Sequence, residues 1–319
     1  MTNKFPQPAI VGCNDIRLAV YELGSGPPVI LLHGFPELAY SWRHQLPALA
    51  NAGYRAIAPD QRGYGRSDKP TGVEQYTIQK LIGDVLGLLK AYALDKAVFV
   101  GHDWGALLLW QMALSHGEKI AGMIILNIPF YASPSSDPVQ LMRERLGEHF
   151  YIVNFQDSDE ADRRFAADVA HFFDIMMRRN QISRARFDQL PPEKKVLSLL
   201  AAMGRKKSAG EPLLCAQERR VFIEAFEAGG FTAPINWYRN WSHNWRSYRH
   251  LPQHIDVPTL FIGANDDVVV ASRHIESMKP RVSDLEIHML ENCGHWTQQE
   301  QPERVNELML DWLARRYKV

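Results

Sequence analysis

The chain has 319 residues, 46% hydrophobic and 23% charged, a balance that excludes a disordered or fibrous protein and suffices for a sizeable core. Lys and Arg number 36 against 36 Asp and Glu, so the formal charge is +0 and no global field draws the protein to nucleic acid or anionic lipid. Cys13, Cys215 and Cys293 are too few and too scattered for a disulfide framework or a zinc cluster, and no metal is expected.

The opening residues MTNKFPQPAIVGCNDIRL carry no apolar leader. No run approaches the roughly 18 apolar residues of a membrane helix, and a cytoplasmic protein without a membrane partner is expected. Four short apolar runs follow, Val29 to Leu32, Arg55 to Ala58, Ala97 to Val100 and Met123 to Leu126, each reading as a buried strand. Between them, Ile78, Leu81, Ile82, Val85, Leu89 and Tyr92 fall on one face of a helix over Thr77 to Tyr92. From about Tyr131 to about His250 strand-like runs cease, and the segment is rich in helix formers, Arg and aromatics. The strand pattern returns at Thr259 to Ile262 and Leu285 to Met289, and Val305, Leu308, Met309, Trp312 and Leu313 line a last amphipathic helix. Alternating strands and helices predict an α/β fold, a mostly parallel doubly wound sheet split by a helical cap. The expected division is residues 1–130 and 251–319 for the core and 131–250 for the cap.

The segment Gly101-His102-Asp103-Trp104-Gly105 sits between a buried strand and an apolar helix. This is the layout of a nucleophile elbow, with Asp103 at the position that a sharp strand-to-helix turn lifts above the sheet. The helix start aims N–H groups at an anionic residue there. Here the sequence resembles the α/β-hydrolase superfamily, and the resemblance extends over nearly the whole chain. It implies that the His33-Gly34-Phe35-Pro36-Glu37 turn supplies the Phe35 N–H as an oxyanion donor beside that of Trp104. It also implies that His295, in Cys293-Gly294-His295-Trp296, is the base and that Asp267, or less well placed Asp266, is the acid orienting it. His33 and His102 read as structural groups inside their turns, and Cys293 lacks a basic partner in any matching motif.

The nucleophile dictates the chemistry. A carboxylate of ordinary pKa about 3.9 is already ionised at neutral pH, so the His is needed only after the first step. Attack on a carbonyl would give an anhydride, whereas attack on saturated carbon gives an ester that water can hydrolyse. Epoxides and alkyl halides both fit, but an epoxide opens to an alkoxide and requires an acid. Phe231-Thr232-Ala233-Pro234-Ile235-Asn236-Trp237-Tyr238 and His149-Phe150-Tyr151 resemble the cap segments that carry the two ring-opening tyrosines of epoxide hydrolases, which map to Tyr238 and Tyr151. The resemblance therefore implies a cofactor-independent epoxide hydrolase, monomeric or homodimeric, acting on a small epoxide and water. Pro36, Trp237 and Trp296 are expected to line its pocket. The alternatives are a haloalkane or haloacid dehalogenase with the same Asp/His/Asp set, disfavoured because Phe35 stands where such enzymes commonly place Asn, and a non-catalytic ligand receptor.

Overall fold

The computed structural model describes residues 5–206, 208–269 and 272–317, the side chains of Ser272 and Arg273 excepted. In chain order the strands are β1 (Ala9–Cys13), β2 (Ile16–Leu23), β3 (Pro28–Leu32), β4 (Arg55–Pro59), β5 (Ala97–His102), β6 (Ile120–Leu126), β7 (Arg178–Arg179), β8 (Glu211–Pro212), β9 (Thr259–Ala264) and β10 (Leu285–Leu290). Eight of them form one sheet in the order β1-β2-β4-β3-β5-β6-β9-β10. From β4 to β10 neighbours run parallel, and β1, β2 and β4 pair antiparallel.

Strand residues alternate between two cores, as the pleat requires. Ile30, Leu32 and Phe99 face helices Ile78–Ala91 and Trp104–His116. Val29, Leu31, Val98 and Val100 face helices Gln45–Asn51 and Pro302–Arg316. Both faces of the parallel strands are thus covered, which is why those strands read as continuous apolar runs. The Thr77 hydroxyl accepts the Lys80 N–H at the predicted start of helix Ile78–Ala91.

Two features depart from the sequence reading. The β1–β2 hairpin was not expected, because β1 is a largely exposed edge strand and presents no buried run. Within the segment expected to lack strands, β7 and β8 pair over two residues each. Otherwise that segment, between β6 and β9, is helical from Pro138 to Tyr248. None of the described helices is long and apolar enough to cross a membrane.

The chain passes from β3 outward to β4 and then back to β5 on the other side. That reversal leaves a crevice at the C-terminal ends of β3 and β5, where open α/β sheets bind ligands. Leu32 pairs with Gly101, so the loops that follow the two strands start side by side.

Candidate active site

Asp103 occupies the crevice. Its φ of 52° and ψ of −117° lie where a non-glycine residue is strained, a cost of order 1–3 kcal/mol that surrounding structure must hold. The flanking glycines make room: a Cβ on Gly105 would strike the Leu32 carbonyl, and one on Gly34 would strike the Asp103 side chain. The Phe35 N–H donates to Asp103 Oδ1 at 2.9 Å, while Trp104 opens the helix with its N–H free of intrahelical partners.

His295 lies on the loop after β10. Its Nε2 is 3.5 Å from Asp103 Oδ2, and its Nδ1 is 3.0 Å from Asp267 Oδ2. Asp267 is itself fixed, accepting from the Val269 N–H at 2.9 Å and from Asn127 Nδ2 at 2.8 Å. Asp266 points elsewhere and accepts the Arg184 N–H at 2.7 Å. The geometry therefore brings Asp267, and not Asp266, to the imidazole.

Electrostatics follow from this crowding. Burial would lower the His295 pKa, but the Asp267 charge, the hydrogen bonds to Asp103 and Asp267 and the Asp103 charge push it well above its usual value. Burial would raise Asp103, yet hydrogen bonding to His295, the charges of His295 and His102 and the Phe35 N–H hold it below the ordinary carboxylate range. The nucleophile-like carboxylate is anionic at neutral pH.

Two helices of the segment between β6 and β9 bring phenols to the chambers that this carboxylate lines. Tyr151 begins helix Tyr151–Asp157, and Tyr238 lies near the end of Thr232–Arg239. The Tyr238 ring packs edge-on against Trp104, Tyr151 and Phe35, at centroid distances of 5.0, 5.7 and 5.5 Å. Burial and the Asp103 charge raise both phenols, with the Trp104 side chain opposing at Tyr238, so both remain protonated donors. Asp103, Tyr151 and Tyr238 line two adjoining chambers of about 770 and 270 Å³. His295, Asp267, Phe35 and Trp296 border the smaller one, and Trp104 the larger.

The expected pocket residues divide. Trp296 lines the smaller chamber. Trp237 is instead fully buried, its indole donating to the Arg62 carbonyl at 3.1 Å. Adjacent residues of a helix point about 100° apart, and with Tyr238 facing the chamber Trp237 cannot. Pro36 is also buried and borders neither chamber.

Sequence reading missed Asn127, which holds Asp267 and accepts from Thr297 Oγ1 at 2.6 Å, and gave Glu37 no task. Glu37 Oε2 lies 2.6 Å from His102 Nδ1 and accepts the Gly34 N–H at 3.1 Å, while His102 Nε2 lies 2.7 Å from the His295 carbonyl. Both histidines beside the elbow loops are enclosed in hydrogen bonds as expected, His33 through the Gly34 carbonyl and the Gln61 N–H. Cys293 is buried, and desolvation pushes its thiol up to about 12, which removes it as a nucleophile.

The α/β hydrolase fold model matches residues 27–302. The chain belongs to the α/β-hydrolase fold family. Relatives that match most of this chain are named epoxide hydrolases, and the protein is an enzyme. It is 39% identical to epoxide hydrolase A of Mycobacterium tuberculosis, covering 97% of this chain and 98% of that one. It is 32% identical to bifunctional epoxide hydrolase 2 of Sus scrofa, covering 93% of this α/β-hydrolase but only 53% of that longer protein. Among solved structures, epoxide hydrolase A from Mycobacterium thermoresistibile superposes with a TM-score of 0.89 at 35% identity, covering 97% of this chain and 98% of that one. An epoxide hydrolase from Vigna radiata gives 0.87 at 31% identity, covering 99% of each chain.

Proposed function

We propose that the protein is an epoxide hydrolase that forms vicinal diols through an ester on Asp103, with residues 131–250 as a cap over a core of 1–130 and 251–319. Asp103 Oδ2 attacks one epoxide carbon as that carbon's bond to the ring oxygen breaks. The oxygen takes a proton from Tyr151 or Tyr238, leaving a phenolate. Oδ1, already held by the Phe35 N–H, becomes the ester carbonyl.

Ester formation removes the negative charge nearest His295 Nε2. One of the two anions that raise its pKa is then gone, and the imidazole is freer to act as a base. His295, held by Asp267, takes a proton from water as its oxygen adds to the ester carbonyl carbon. The N–H groups of Phe35 and Trp104 stabilise the resulting oxyanion. Collapse breaks the bond to the alkyl oxygen, which receives the proton from His295. The remaining water proton returns from the carboxyl to the phenolate, so one epoxide and one water give one diol and the resting enzyme.

The observation that supports this reading most is that both phenols line the chambers that Asp103 lines, the smaller of them also bordered by the His295–Asp267 pair. The names of the relatives point the same way. A panel of aliphatic and aryl epoxides and haloalkanes, assayed for diol and halide, tests it. Diol from epoxides without halide release is expected; halide release without diol would establish the dehalogenase reading. No turnover across the panel would favour a receptor.

A further inference from the structure

The chemistry proposed above uses groups on two separate parts of the fold. The phenols come from the helical segment, whereas ester hydrolysis uses His295, Asp267 and the Phe35 turn, all from the core. Several side chains tie the two together, among them Trp296, whose indole donates to the Met176 carbonyl at 2.9 Å, and Arg43. Arg43 follows the turn that carries Phe35, at the end of the short helix Ala39–Trp42. Its Nε donates to Glu218 Oε1 at 2.7 Å. Its other arm, NH1, donates to Gln299 Oε1 at 2.7 Å.

Each partner leads to one half of the reaction. Glu218 lies in the first turn of helix Ala216–Gly229, which runs through Gly230 and Phe231 directly into the helix that bears Tyr238. Gln299 lies in helix Thr297–Glu300, immediately after His295. Gln299 Nε2 in turn donates to Glu37 Oε1 at 2.9 Å, beside Gln298 Nε2 at 2.8 Å on the same oxygen. The other Glu37 oxygen reaches His102, and His102 reaches the His295 carbonyl. An unbroken polar chain therefore runs Glu218, Arg43, Gln299, Glu37, His102, His295.

The geometry points to Arg43 as a positioning residue that couples the seating of the Tyr238-bearing cap segment to the posture of the His295 loop. This inference rests on the epoxide hydrolase reading for what the two halves do. Its physical basis is the guanidinium fork, whose donors sit in fixed directions, so a carboxylate on Nε and an amide oxygen on Nη1 are held in one fixed relation. The Arg43 side chain is 9% exposed and that of Glu218 23%, so the pair is screened less than a surface one. With its Oε1 accepting from Arg43, Gln299 presents its amide N–H to Glu37. Without Glu218 the arm is free to swing, Gln299 is free to turn its amide over, and the ties beneath His295 loosen. Both steps are thereby favoured by the same seated state.

Glu218→Gln tests this, because it removes the charge from the cap segment and leaves every core residue intact. In single turnovers with limiting epoxide, alkylation and ester hydrolysis are followed separately by intact mass. A merely structural Glu218 would affect only alkylation, the step that uses the cap phenols. Coupling predicts that hydrolysis also falls, about fivefold to tenfold, the scale of one net hydrogen bond. Arg43→Met should slow hydrolysis at least as much, and Glu218→Gln should then add nothing to it, since coupled changes are non-additive. Arg43→Lys, with one compact ammonium for two partners, should recover only part of the loss. A second readout is independent of catalysis: amide exchange across 293–301 should quicken in Glu218→Gln. Hydrolysis at the wild-type rate with unchanged exchange in that segment would overturn the coupling. Loss of the ester in all variants and the wild type would instead remove the epoxide hydrolase reading, and the exchange result alone would then decide whether Arg43 links the two parts.

Discussion

In the proposed mechanism Asp103 and His295 act in different steps, and this separates their mutational signatures. Asp103→Asn keeps nearly the same shape but loses the anion, and turnover is expected to vanish while the folded spectrum is retained. Diol formation by freshly purified protein, with deamidation excluded by mass, would contradict that. The pH dependence should also split between steps. Asp103 is held below the usual carboxylate range, so alkylation should stay level through neutral and mildly acidic pH and fall only in strong acid. Hydrolysis requires neutral His295, whose pKa is raised, so its rate should climb as pH rises through the value His295 retains in the ester. Single-turnover rates for each step across pH check the assignment, and a hydrolysis rate independent of pH would count against His295 as the base.

At the level of elements, helices Tyr151–Asp157 and Thr232–Arg239 meet above the elbow and each contributes one phenol. Removing either hydroxyl should cost alkylation on the order of 10²-fold, and Tyr151→Phe with Tyr238→Phe together should nearly stop it. Wild-type alkylation by the double variant would remove the phenols from ring opening. The elements legible in sequence were those under a single strong constraint. Parallel strands buried on both faces read as apolar runs, and the elbow reads as glycines at fixed spacing because a Cβ on Gly105 would strike the backbone. What stayed hidden depends on partners distant in the chain. Asn127 becomes a support only because β6 ends beside the Asp267 loop, 140 residues away. Glu37 was visible in its motif, but its contacts with Gln298 and Gln299 appear only when the first and last thirds of the chain meet. Trp237 was misplaced because the similarity of a segment says nothing of which helix face turns to the cavity.

Across the whole molecule, the sheet's loops and the helical segment between β6 and β9 share one aromatic interior, from Phe35 and Trp104 through Tyr238 to Phe155 and Phe231. Beneath it lies a buried ion pair, Arg62 with Asp84 at 2.7 Å, their side chains 1% and 6% exposed. The Arg62 carbonyl also receives the Trp237 indole N–H. Arg62→Leu leaves a buried carboxylate without its partner and should cost about 3–5 kcal/mol, with Arg62→Leu and Asp84→Leu together recovering most of it in denaturant unfolding. An Arg62→Leu loss under about 1 kcal/mol would show that water reaches the pair. The central claim, that the diol's new oxygen passes through Asp103, is tested most directly by one turnover in oxygen-18 water with enzyme in excess over epoxide. The account predicts a diol without the label and one heavy oxygen in the peptide containing Asp103. Label in the diol and none in that peptide would mean that water attacks the epoxide itself.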